Sequence, residues 1–435
     1  MDKKKRFKNV VNVIKDNTKA DDFIVNYEAK NNALTRFANN MVTQNVDTVN
    51  EQINLTLFIG KKKGSLSSAN LDEDSVKRLI KKCEEIAENS VEDKEYMPSL
   101  DNDNQKIENM VDNQVVNMNA EDRADIVNST IQEANNKNVD VFGTASNTLN
   151  SYGVATKNGL FKFYEGTNVG YSNTVQIEDE KGASFLSGHN KKSVSLEKVN
   201  SSFKAAMKDA RNLQNRQSFE PGRYKVVISA QAATKLFLWL GFYGNNRRAV
   251  DEGYSPYIKK MNKKIMDERV DIYTDPTDKK APSKPFTEEG LKIEKKHMVK
   301  NGKLVDLPCS RYWADENGYQ PWAMSNLIID DGNKTEEELI KQVDKGFYIK
   351  DLWYIRMVKM EDFLLTGMTR NGLFYIENGE IKEGATHFRW NDSPIRMLNN
   401  LIDLGQGVAN LGNWYSVFAP ALLVDDFYFS SKTLF

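Results

Sequence analysis

Side chains able to bind a metal or act as a nucleophile are scarce in this 435-residue chain. Histidine occurs three times, at His189, His297 and His387, and cysteine twice, at Cys83 and Cys309. A zinc site on a helix needs two ligands about one turn apart, so that both face the ion. No His-x-x-x-His, Cys-x-x-Cys or adjacent His-Glu pair exists, so the residues themselves predict no metal and no cofactor. Cys309, in Leu307-Pro308-Cys309-Ser310-Arg311-Tyr312, is the more interesting thiol, because Arg311 two residues on would favour its thiolate. With no histidine nearby in sequence to serve as base, a loop cysteine without a role is the plainer reading. Cys83 shares an apolar helical stripe with Val76, Leu79, Ile80 and Ile86 and is expected to be a core thiol. Phosphate-cradling glycine loops are absent, and Gly405-Gln406-Gly407, read as the end of a helix, lacks the strand–helix context such a loop needs. Glu377, between apolar residues and Asn378-Gly379, reads as a solvent-facing strand carboxylate.

The stretch best suited to hold chemistry rigidly is residues 224–243, YKVVISAQAATKLFLWLGFY. A β-branched strand follows the Pro221-Gly222 turn, Ser229 is placed to cap a helix, and a strongly apolar helix runs over about 232–242. Two packed elements meeting at a tight corner fix side chains well. Yet residues 224–246 contain no His, Cys, Asp or Glu. The scaffold is present without catalytic side chains.

Net charge −1 gives no global reason to expect nucleic acid or an anionic membrane as partner. Two cysteines far apart predict a reducing compartment. No apolar core follows Lys3-Lys4-Lys5-Arg6 and no run approaches the ~20 apolar residues of a membrane span. The expectation is a soluble cytoplasmic protein.

Periodicity predicts α+β structure in two domains, 1–218 and 219–435. The first reads as α/β, with helices over 6–16, 72–86, 120–136 and 196–213. Its strands are expected over 23–28, 51–59, 65–69, 139–145, 151–156, 160–164 and 174–178, with a polar surface excursion at 99–119. Lys63-Gly64-Ser65 followed by Ser75-Val76 is echoed by Lys181-Gly182-Ala183 and Ser193-Val194, 118 residues on. A duplicated strand–helix unit would produce that echo. The polar segment 214–222 marks the boundary. Beyond it, short strands separated by Asn301-Gly302, Asp331-Gly332, Asn371-Gly372 and Asn378-Gly379 predict an antiparallel sheet or barrel-like domain with helices. Trp239, Trp313, Trp322, Trp353, Trp390 and Trp414 are expected in packing roles.

Several segments, in order, carry a resemblance. They include Thr35-Arg36-Phe37-Ala38-Asn39-Asn40, Pro221-Gly222-Arg223-Tyr224-Lys225-Val226-Val227-Ile228, Glu252-Gly253-Tyr254-Ser255-Pro256 and Asp271-Ile272-Tyr273-Thr274-Asp275-Pro276. Ser310-Arg311-Tyr312-Trp313-Ala314, Thr369-Arg370-Asn371-Gly372-Leu373-Phe374, Arg389-Trp390-Asn391-Asp392-Ser393-Pro394 and Ala419-Pro420-Ala421-Leu422 complete the series. The chain resembles the TldD/PmbA family across nearly its whole length, in the TldE-like subgroup without the metal motif. In the family's metallopeptidase member the helix after the central strand carries His-Glu-x-x-x-His, with a cysteine near the C-terminus completing the zinc site. The resemblance places Leu238, Trp239 and Tyr243 at the His, Glu and His positions, and 404–419 holds no cysteine. It therefore implies no metal and no catalytic residue in this chain, with zinc expected only in a motif-bearing partner. The implied role is the non-catalytic subunit of a heterodimer, with a TldD-like metal-bearing paralogue, that degrades or processes unfolded peptides. Leu238 and Trp239 would fill the volume of the lost site, and Ser310, Arg311, Tyr312 and Arg370 are candidates to touch an extended peptide. Two alternatives stay open: a homodimeric peptide-binding or scaffold protein, and a self-sufficient hydrolase using Cys309.

Overall fold

A computed structural model describes residues 2–412 and 415–433, so Trp414 lies outside the described residues. The first half contains helix α1 (Lys3–Asn17), strands β1 (Asp22–Ala38), β2 (Met41–Ile59) and β3 (Lys62–Ser68), and helices α2 (Glu73–Asn89), α3 (Asn113–Val116) and α4 (Ala120–Lys137). Strands β4 (Asp140–Thr156), β5 (Phe161–Ile177) and β6 (Glu180–Gly188) and helix α5 (Leu196–Asn212) follow. The six strands form one antiparallel sheet in the order β3-β2-β1-β4-β5-β6.

The unit α1-β1-β2-β3-α2 recurs as α4-β4-β5-β6-α5, and β1 and β4 begin and end 118 residues apart. The faint echo in the sequence is a duplication of the whole layer. Gly64 of β3 and Gly182 of β6 show what the echoed residues do. A Cβ at Gly64 would stand 2.0 Å from the Cys83 carbonyl oxygen of α2, and one at Gly182 would stand 2.0 Å from that of Ala206 in α5. Each strand passes so close to its helix that only glycine fits.

Alternate residues of the sheet separate two environments. Phe23, Val25, Ile53 and Leu55 join Phe7, Val10 and Ile14 of α1 and Val76, Ile80 and Cys83 of α2 in one core. Phe37, Val141, Val169 and Tyr171 join Ile126, Val127, Val199 and Phe203 of α4 and α5 in a second. Ile86 leaves the expected stripe, 40 % exposed, and Ala87 packs inward in its place. On the other face stand Asn26, Gln52, Asn54, Thr56 and Asn150.

The expected short strands 139–145, 151–156, 160–164 and 174–178 are two continuous strands, and the segment 32–45 is the hairpin of β1 and β2. Asn, Thr and Ser on the open face interrupt the apolar pattern without interrupting the ladder. Polarity hid the length of these strands.

The second half begins with β7 (Gly222–Ile228) and helices α6 (Ala230–Tyr243) and α7 (Arg247–Asp251). Next come β8 (Ile272–Thr274), β9 (Lys296–Lys300), β10 (Lys303–Leu304), helix α8 (Arg311–Asn317), β11 (Asn326–Ile329) and helix α9 (Glu336–Ile340). It ends with β12 (Lys345–Lys359), β13 (Leu364–Glu377), β14 (Glu380–Gly384), β15 (Phe388–Asp392), helix α10 (Pro394–Asn399), β16 (Leu401–Leu411) and β17 (Ser416–Lys432). The sheet order is β10-β9-β8-β11-β17-β15-β13-β12-β7, and β7 also pairs with β17. Strands β17, β15, β13, β12 and β7 therefore close on themselves, the barrel-like element expected. Pairing is antiparallel except between β11 and β17 and between β12 and β7.

Two expectations fail here. Residues 405–407 belong to strand β16, not to a helix end. Asn301-Gly302 and Asn378-Gly379 turn hairpins with both residues at positive φ, but Asn371-Gly372 lies inside β13. Strand β17 organises the sheet, yet residues 416–424 are almost wholly buried on both faces, so they show no alternation to read.

Candidate functional site

Helix α6 is anchored at its first turn. The Ser229 hydroxyl donates to the Lys350 carbonyl (2.7 Å) and accepts from the Ala232 amide (3.1 Å). Glu336 of α9 accepts the Ala230 amide at 2.9 Å, a carboxylate at a helix N-terminus where the dipole favours it. Ala232, Ala233, Leu236, Phe237 and Leu240 bury one face in the main core, and Leu238 and Trp239 pack half-buried against it. Tyr243 is 49 % exposed and stacks on Trp239, with ring centroids 5.6 Å apart. At Gly241 an added Cβ would stand 2.7 Å from the Tyr415 ring, which fixes how closely α6 lies against the start of β17.

Glu336 belongs to a buried network whose members are isolated in the sequence and carry no signal of it there. The Tyr348 hydroxyl donates to Glu336, and Lys350 lies 3.4 Å from that hydroxyl and 3.5 Å from Asp209 of α5. Burial pushes the Asp209 carboxyl up to about 6, against the pull of Lys350. Lys350 is itself raised: burial opposes its charge most strongly, but Asp209 and Glu336 together outweigh that. Asp209 and Glu336 outnumber Lys350, so the cluster carries more acid than base. It ties the first sheet's helix layer to the first turn of α6.

A cleft of about 970 Å³ lies between the polar face of the first sheet and loops of the second half. Asn26, Asn54, Asn150 and Tyr152 line one side, and Lys284 and Arg311 line the other. Most of its charges are matched locally: Lys63 pairs with Asp93, Lys284 with Glu288, Arg311 with Glu289 and Glu95 with Arg248, while Glu28 accepts from Gln52 at 3.4 Å. What remains for a ligand is an amide- and hydroxyl-rich wall with aromatic rings, suited to a neutral polar chain. Helix α6 does not line this cleft, but Tyr415, packed on Gly241, does.

The sequence-selected residues do not converge. Arg311 donates to the Pro98 carbonyl at 2.7 Å and to Glu289 at 3.1 Å, bridging two loops at the cleft. Ser310 caps α8, accepting from the Trp313 amide, and Tyr312 is half-exposed on that helix. Arg370 stands exposed on β13 over Trp353, 4.2 Å from the ring centroid. Arg311 alone of the four lines the cleft.

Cys309 is 5 % exposed and its backbone pairs with Trp322. Burial pushes its thiol up, with Arg247 pulling the other way. Arg311, engaged with Pro98 and Glu289, does not activate it, and the burial accords with the plainer reading of a cysteine without a role. Cys83 is fully buried and pushed up to about 11, as a core thiol should be. Glu377 is exposed before its turn, as expected. His387 meets the Thr369 hydroxyl at 3.1 Å, and burial with Arg216 and Arg370 lowers it to about 4. His297 lies 3.8 Å from Asp271 on β9, and His189 precedes the first turn leading to α5. Among the described residues no three His, Cys, Asp or Glu side chains form a group able to hold a metal ion. The residues at the α6 site do not fit a zinc ion.

Two family models match the chain: the PmbA/TldA metallopeptidase C-terminal domain over 221–431 and the PmbA/TldA metallopeptidase domain 1 over 25–87. The chain belongs to the TldD/PmbA family. Its fold is TldE-like: the TldE structure from Thermococcus kodakarensis superposes with a TM-score of 0.85 at 15 % identity, covering 97 % of this chain and 99 % of that one. A protein described as a putative modulator of DNA gyrase from Bacteroides thetaiotaomicron gives 0.85 at 17 % identity, with 99 % of each chain covered. Sequence similarity reaches a metalloprotease PmbA homolog of Buchnera aphidicola, 26 % identical over 163 residues, which are 36 % of this chain and 35 % of that protein. A metalloprotease of Archaeoglobus fulgidus is 31 % identical over 157 residues, 33 % of this chain and 36 % of its own length. The match thus spans about a third of these curated relatives. Among the described residues no helix is long and apolar enough to cross a membrane.

Proposed function

We propose that this TldD/PmbA-family chain is the zinc-free, TldE-like subunit of a cytoplasmic metallopeptidase complex that processes unfolded peptides. Its partner would be a paralogue carrying His-Glu-x-x-x-His. The observation that carries this reading is α6: a capped, packed helix after the central strand that holds no His, Cys, Asp or Glu, on which the resemblance sets Leu238, Trp239 and Tyr243 at the positions of ligands and base. Leu238 and Trp239 contribute apolar packing there, and unpaired buried ligands would be costly in their place. The amide-lined cleft supports a role in holding peptide, since side-chain amides bond a peptide backbone without regard to its side chains. The burial of Cys309 argues against a thiol hydrolase.

Elemental analysis and a peptidase assay test the proposal together. The purified chain should hold no stoichiometric zinc and cleave no unfolded peptide, and activity should appear when a motif-bearing paralogue is added. Zinc at one per chain, or cleavage by the chain alone, overturns it.

A further inference from the structure

The two copies of the repeated unit differ at one edge. In the second copy, the outer edge of β5 is covered by the segment leading to α3. The Met110 amide donates to the Glu165 carbonyl and the Thr167 amide donates to the Met110 carbonyl, both at 2.9 Å. A second bridge joins Asp101 to Gly159. Going back 118 residues, Glu165 and Thr167 correspond to Asp47 and Val49 of β2. Strand β3 pairs with β2 only over Ile53–Ile59. Among the described residues, the backbones of Asp47 and Val49 have no hydrogen-bond partner outside their own sheet.

The uncovered run, 44–52, is regular beyond the bulge at Arg36/Phe37. Sheet edges are ordinarily blocked by Lys, Pro or a cover. This one contains no Lys, Arg or Pro, although the chain has 60 Lys and Arg in all. Its two carboxylates are already neutralised within the chain, Asp47 by Arg123 at 2.7 Å and Glu51 by Arg6 at 2.9 Å. Val49 is 72 % exposed.

We propose that this edge pairs with the same edge of a second copy of the chain, antiparallel about Thr48, joining two six-stranded sheets into one. A two-fold axis normal to the sheet requires a residue opposite itself, and the run 44–52 is centred on Thr48. That register sets Asp47 opposite Val49, Asn45 opposite Glu51 and Gln44 opposite Gln52. Centring on Asp47 or Val49 instead sets acid against acid, which disfavours pairing. The outward Val49 amide then donates to the Asp47 carbonyl of the other copy, the bond that Thr167 and Met110 make in the covered edge. Thr48 faces Thr48 as a non-hydrogen-bonded pair, where Cα atoms approach most closely. About nine residues per copy is below the 20–30 of a standard interface, so the dimer is concentration-dependent. The contact does not rest on the proposed peptidase role.

Sedimentation equilibrium over about 1–200 μM should show reversible dimerisation of the purified chain. Val49→Pro removes the outward amide without touching the bonds to β1, and should weaken association at least ten-fold with an unchanged far-UV spectrum. Because Cys83 and Cys309 are buried, Thr48→Cys gives a single accessible thiol. It should form a disulfide dimer under mild oxidation faster than Val91→Cys, a control at a position 87 % exposed. A wild-type chain monomeric throughout that range overturns the proposal, as does association unaffected by Val49→Pro. If Val49→Pro fails to fold, cross-linking at Thr48 no faster than at Val91 overturns it alone.

Discussion

Burial of Asp209 at the seam between the two sheets makes stability depend on pH. Its carboxyl lies near 6 in the fold, raised from the ordinary carboxylate value, and the groups facing it are Lys350, Glu336 and Lys208, with Glu337 and Tyr348 beside Lys350. A raised folded pKa gives stability that is full below the unfolded value of about 4 and is lost as pH rises through 6. Discounted for its coupling to Lys350, that loss is roughly 2 kcal/mol between pH 4 and pH 7.5. Asp209→Asn cannot titrate and keeps an acceptor toward Lys350. His387, lowered to about 4, acts in the opposite sense, taking stability away as pH falls below 6.5. The difference between the two proteins therefore isolates Asp209: urea unfolding should show the variant gaining on the wild type by roughly that amount between pH 4 and pH 7.5. An equal slope in both proteins counts against Asp209 as the source. No reading of the sequence could have found this group, because Asp209, Glu336 and Lys350 are single charges on three elements that only the fold brings together. Of the four residues selected as candidates to touch peptide, Arg311 lines the cleft and Ser310, Tyr312 and Arg370 do not, and for Cys309 proximity to an arginine in the sequence says nothing of burial.

Among the elements, the duplicated unit was legible in the sequence through Gly64 and Gly182, because a strand crossing a helix at contact distance tolerates no Cβ. The long strands were not legible, because their open face carries Asn and Thr where a one-sided core would show plain alternation. Strand β17 escaped notice for the opposite reason: buried on both faces, it reads as an apolar run without period. The duplication also makes a paired prediction. Gly64→Ala and Gly182→Ala each drive a Cβ into a backbone oxygen 2.0 Å away, where no flexible side chain is available to yield. Each should cost roughly 3 kcal/mol or more, and the two should agree closely in chemical denaturation. A negligible cost at either site would mean that the two layers do not share this close approach.

At the scale of the whole molecule, the question is whether the halves unfold together. Phe286 belongs to the second half of the chain but is 1 % exposed among Ile24, Phe58, Val154, Leu160 and Tyr164 of the first half. Elsewhere between the halves, Arg311 bonds the Pro98 carbonyl, Arg248 pairs with Glu95 at 2.7 Å, and Gln231 donates to the Phe185 carbonyl at 2.8 Å. The polar bonds lie at or near the surface, and exposed ion pairs contribute about 1 kcal/mol or less. The aromatic ring is the large contribution: truncating a buried phenylalanine to alanine costs about 3–5 kcal/mol. Since that energy sits between the halves and not within either, Phe286→Ala should do more than lower the melting temperature. Calorimetry should show one endotherm for the wild type and two for the variant, with the amide-lined cleft opening at the first. A single endotherm moved bodily downward would place the coupling elsewhere, in the Asp209–Lys350 contact that joins α5 to the strand beside β7.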